Sequence, residues 1–139
     1  MSAAFFDTNL LVYAVDPRDS ETDKRLASRR LLAARRVHIS TQVMMEAFNV
    51  LVRKRLASRE IAAAYIGRLS TYSVMAPEVD DVLRAIDYSH RYQINHFDAL
   101  HVCAAERAKV DVFYSEDLAH GQSYGSVRAC NPFIEDFLA

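Results

Sequence analysis

Four carboxylates of this 139-residue chain stand in poor surroundings for a charge. Asp7 interrupts the otherwise apolar stretch "AFFDTNLLVYAVD". Glu46 follows Val43 by three residues and shares a helical face with Ala47 and Val50. Asp98 falls in the first turn of "FDALHVCAAERAK", and Asp117 comes just behind "VDVFYS". Desolvation disfavours an ionised carboxyl, so each of the four needs a partner. Singly, each has a local one: backbone N–H groups after Asp7, Arg53 or Lys54 for Glu46, a helix start for Asp98 and a simple turn for Asp117.

Together they point elsewhere. In open parallel α/β sheets, functional residues gather beyond the carboxyl ends of the strands. Asp7 and Asp117 both occupy such ends, so parallel neighbours bring them to one edge, where two helices add Glu46 and Asp98. Like charges raise one another's pKa unless a cation intervenes. Hard divalent cations take oxygen ligands, Mg²⁺ at ~2.1 Å through a few carboxylates and several waters, and Mn²⁺ shares those preferences. The chain has no Gly-rich phosphate loop, no G-x-S-x-G elbow and no Cys/His zinc spacing. An acidic Mg²⁺ or Mn²⁺ site standing alone suits phosphodiester hydrolysis, where the cation activates water and steadies charge on phosphorus. His101, one turn past Asp98, could face that acid; the expected role is a histidine satisfied at the edge of the core.

The elements that must position these acids are readable from the hydrophobic pattern. Residues 3–7 are an apolar run without alternation, as in a strand covered on both faces, and "VDVFYS" (110–115) is a second strand. Asp16-Pro17 marks a turn, and a helix is expected from Thr22 to about Arg35. "VHIS" (37–40) is a brief strand, with Ser40 or Thr41 capping a helix over about 42–56. Ser58 and Glu60 open another helix, "YSVMAP" is extended, and helices follow at about 78–92 and from Asn95. "SVRACNPF" supplies a further strand, and a short helical turn is expected after Pro132. Strands alternating with helices predict a single α/β domain over 1–139, with a short parallel sheet between two helical layers.

Composition agrees with a globular domain: 51% hydrophobic, 25% charged, three Gly and three Pro. Two cysteines are too few for a disulfide framework. The N-terminus lacks a basic n-region and the run Leu10–Val15 is too short to span a bilayer, so a cytoplasmic location without membrane contact is expected. The net charge of −1 conceals two basic clusters, Lys24 to Arg36 and Arg53 to Arg59. Such clusters either form a solvated helix face or hold phosphate backbones.

"FFDTNLLVYA", "ISTQVMMEAFNVL", "FDALHVCAA" and "FYSEDLAHGQ…NPF" resemble, in order and spacing, the blocks of the PIN-domain nucleases, with closest likeness to VapC-type toxins. The resemblance covers nearly the whole chain. It implies a PIN-like α/β/α fold and metal-binding, catalytic roles for Asp7, Glu46, Asp98 and Asp117. Thr8 and Asn9 match residues that order the first acid, and Ser115 matches a hydroxyl residue two positions before the fourth. It further implies Mg²⁺- or Mn²⁺-dependent cleavage of RNA, a homodimer, and a cognate antitoxin whose segment occupies the groove. "NHF" before Asp98 departs from the family pattern and makes His96 a candidate substrate contact. Two other readings are a PIN-like module that binds RNA or protein without cutting, and a phosphatase with Asp7 as nucleophile. The second resembles haloacid-dehalogenase-like enzymes, but their "DxDxT" has an acid where this chain has Asn9.

Overall fold

The computed structural model describes residues 1–134. Strand β1 (Ala3–Phe6) lies at the centre of a six-stranded sheet with β2 (Arg36–Ser40), β3 (Ser73–Met75), β4 (Val112–Tyr114), β5 (Ser123–Tyr124) and β6 (Val127–Cys130), in the order β3-β2-β1-β4-β6-β5. All pairings are parallel except β5 on β6. The helices are α1 (Thr8–Tyr13), α2 (Thr22–Ala34), α3 (Thr41–Arg53), α4 (Arg59–Leu69), α5 (Val79–Tyr92) and α6 (His96–Arg107).

Ala4, Phe5 and Phe6 are all fully buried, which requires cover on both faces of β1. Phe5 stacks on Phe113 and meets His101 of α6. Phe6, pointing the other way, packs on Tyr114, whose hydroxyl accepts from Arg35 at the end of α2. The three-layer α/β/α arrangement expected from the sequence is therefore present.

Local signals placed the helix starts. Asp7, Ser40, Ser58 and Asn95 each accept a backbone N–H of the turn they open, satisfying donors that a helix N-terminus leaves free. Because Asp7 caps α1, β1 stops at Phe6 rather than running through residue 7. The ends of α3 and α6 differ from expectation. The helix expected to reach residue 56 stops at Arg53, since Arg55 adopts a left-handed backbone (φ 56°) and Leu56 N–H returns to Leu51 O. Lys109 ends α6 in the same way, and β5 carried no sequence signal. The helical turn expected after Pro132 lies largely outside the described residues. Among the described residues no helix is long and apolar enough to cross a membrane.

Much of the first basic cluster bonds to groups of the protein itself, although Arg29, Arg30 and Arg36 are exposed. Arg29 donates to Ala14 O and Arg25 to Asp16 O, satisfying carbonyls beyond the end of α1, while Lys24 pairs with Glu116 and Arg36 donates to Met1 O.

Candidate functional site

The parallel register of β1 and β4 brings their carboxyl ends together, and Asp7 N–H extends the ladder to Tyr114 O at 3.0 Å. Asp7, 3% exposed, is held from both sides. Its Oδ1 accepts from Thr8 N–H at 2.7 Å and its Oδ2 from the Ser115 hydroxyl at 2.7 Å. Ser115 Oγ in turn accepts Asp117 N–H at 3.0 Å, so one buried hydroxyl orients two of the four acids.

Ser40 ends β2 and caps α3, which carries Glu46 over the same edge. The Glu46 carboxylate accepts from Thr8 Oγ1 (2.7 Å) and Gln42 Nε2 (2.9 Å) and lies 3.3 Å from His101 Nε2. Neither Arg53 nor Lys54 pairs with it, because both lie two turns on and exposed. Asp98, in the first turn of α6, receives no hydrogen bond among the described residues. Carboxylate oxygens of Asp7, Asp98 and Asp117 fall within 4.8 Å of one another, as do ligand atoms of Asp7, Glu46 and His101.

The supporting residues differ from expectation in one respect. Thr8 orders the first acid through its backbone and the second through its hydroxyl. Asn9, expected beside the first acid, instead donates its amide to Asp117 Oδ2 at 3.0 Å. His101 is 2% exposed and faces Glu46 and Asp7 (3.8 Å) rather than Asp98. Its i+3 spacing from Asp98 signalled the edge but not the partner. His96 is engaged by Ser89 of α5 at 3.0 Å.

Charge in this cluster is unbalanced. Burial, reinforced by Asp7 and Asp117, pushes the Asp98 carboxyl up to about 6. Burial with Asp7 and Glu116 also raises Asp117. For Glu46, burial is outweighed by His101, Thr8 and Gln42, which hold the carboxyl below its ordinary value. His101 is raised despite burial, by its contact with Glu46 and the charge of Asp7. Glu46 thus has its compensation in the protein, whereas Asp98 and Asp117 do not. An all-oxygen set with two such acids fits a hard divalent cation. Ser115→Ala removes a hydrogen bond from each of two acids and is expected to weaken Mn²⁺ binding about 10- to 100-fold, measured by calorimetry.

The acids line a cavity of about 560 Å³. The description of the PIN domain matches residues 4–122. The chain belongs to the PIN-domain family. No curated protein matches it in sequence. Among solved structures, this PIN domain is similar to a toxin–antitoxin complex from Klebsiella pneumoniae, with a TM-score of 0.70 and 18% identity over 94% of this chain and 98% of that one. Mycobacterium tuberculosis VapC20, a sarcin-ricin loop cleaving toxin, gives 0.66 and 23% over 80% and 87%. VapBC2 from Rickettsia felis, bound to promoter DNA, gives 0.63 and 14% over 91% and 96%. At these identities the likeness is one of fold.

Proposed function

We propose that this PIN domain is a metal-dependent endoribonuclease, the toxin of a toxin–antitoxin pair, acting as a single domain over 1–139. The observation that carries the reading is the meeting of Asp7, Asp98 and Asp117, from three separate elements, within 4.8 Å in an open cavity. A Mg²⁺ or Mn²⁺ held by these acids would supply Lewis-acid polarisation of a phosphate and an acidified water.

The chain's own groups do the placing. Ser115 and Thr8 fix both oxygens of Asp7, so its lone pairs are aimed before any ligand arrives. Asn9 and the Ser115 hydroxyl hold Asp117 at the rim. Thr8, Gln42 and His101 keep Glu46 ionised and oriented on the α3 side. In hydrolysis a water oxygen bonds to phosphorus and the bond to the 3′ oxygen breaks, leaving 5′-phosphate and 3′-hydroxyl ends. The expected homodimer draws support from α5, where Val79, Val82, Leu83 and Ile86 form an exposed apolar stripe at helical spacing. The structural likeness to toxin–antitoxin complexes supports a separate antitoxin chain.

The test is cleavage of RNA by the purified, antitoxin-free protein in Mn²⁺ or Mg²⁺ and in chelator, beside Asp7→Asn prepared identically. Metal-dependent cleavage absent from the variant is the expected result. Equal cleavage by both proteins would end this reading.

A further inference from the structure

Among the described residues every tyrosine and phenylalanine ring is buried or half-buried except one. Phe97 is 61% exposed and packs against no other ring. Its place is not arbitrary: it lies beside Asp98 in the first turn of α6 and lines the acid cavity. Asn95 Oδ1 accepts Phe97 N–H at 2.8 Å, so the ring projects from a fixed backbone. Folding gains little from a ring left in water, and a surface that has buried its other rings has a use for this one.

Other cavity-lining groups lie on α3 and just beyond it. Lys54 follows Glu46 by eight residues, about 12 Å along a helical rise. Its ammonium makes no ion pair or hydrogen bond among the described residues, whereas Arg18, also lining the cavity, is held by Asp16 at 2.7 Å. The cavity thus combines carboxylates able to hold a cation, an aromatic face free to stack and an uncommitted ammonium. A single nucleic-acid strand offers the matching groups, since every base has a π-face and every linkage a phosphate.

We infer that Phe97 is the stacking platform for the base beside the cleaved phosphodiester, a positioning residue that sets the strand in register with the acids. The inference rests on the ribonuclease reading above and extends it to how the substrate is held. Contact of the same ring with a second protein chain is the competing outcome.

The chain contains no tryptophan, so Phe97→Trp introduces a lone indole at the cavity wall. In an Asp7→Asn background, titration with an eight-nucleotide single-stranded RNA is expected to quench that indole saturably. An RNA abasic at one position is expected to leave it unquenched. In the otherwise unaltered protein, Phe97→Ala should raise KM about 10- to 100-fold with kcat and calorimetric Mn²⁺ affinity retained. Phe97→Trp should restore KM and Phe97→Leu should not. An unquenched indole together with an unchanged KM overturns the inference. So does a change in sedimentation on Phe97→Ala with KM intact, which would assign the ring to a protein interface. The quench needs no cleavage, so it is read separately from the failure of the ribonuclease reading itself.

Discussion

Asp98→Asn is expected to lower Mn²⁺-dependent RNA cleavage by at least about 100-fold, the upper end of what loss of a residue merely supporting a metal ligand costs. The same substitution is expected to make the metal-free protein more stable at pH 7. Asp98 is the acid whose carboxyl is pushed to about 6, by burial first and then by Asp7 and Asp117. A carboxyl raised in the folded state favours folding when protonated. That advantage disappears as pH climbs from ~3.9, its unfolded value, through about 6, leaving the ionised group a net cost at pH 7. Asparagine removes the cost, so Tm in chelator should rise at pH 7 and scarcely change near pH 4. Added Mn²⁺ should raise Tm of the unaltered protein, through binding to the folded state alone, and do little for the variant. Glu46→Gln should cost less activity, about 10-fold, because that carboxylate is already held by Thr8, Gln42 and His101. Thermal melts and cleavage rates on the same preparations check both halves. A variant that cleaves normally, or melts lower in chelator at pH 7, contradicts the account.

The largest expected loss of stability lies away from the acids. Asp81 is fully buried, and its Oδ2 accepts both Glu78 N–H and Arg107 Nε at 2.8 Å. The first bond closes the first turn of α5, and the second ties it to the last turn of α6. Asp81→Ala opens that turn and leaves the Arg107 guanidinium, one-third exposed, without its buried partner. Removing one member of such a pair costs about 3 kcal/mol, which at this length is a fall in Tm of about 10 °C. Asp81→Asn, which retains an acceptor for Glu78 N–H, should fall by less. Since α6 carries Asp98, some loss of cleavage on warming should accompany the loss of Tm. A melt displaced by less than 3 °C would show that the guanidinium finds water instead.

What the chain settles by itself is local or periodic. Asp7, Ser40, Ser58 and Asn95 are capping residues placed next to the turns they satisfy, and a cap needs only three residues of context. The apolar run at β1 marks a strand covered on both sides, β4 is a second strand, and a parallel sheet then brings Asp7 and Asp117 to one edge without further information. The ends of α3 and α6 were less legible because Arg55 and Lys109 take a left-handed backbone without glycine, a choice that composition does not signal.

Only the tertiary structure decided which acids are compensated within the protein. Ser115 reaches Asp7, and Asn9 reaches Asp117, each across 108 residues of sequence. His101 meets Glu46 rather than the acid one turn before it, and Phe97 stands in water while the other described phenylalanine and tyrosine rings are covered. Hydrogen bonds between distant segments depend on how the helices settle over the sheet edge. Local pattern fixes which residues arrive there, and packing fixes which of them touch.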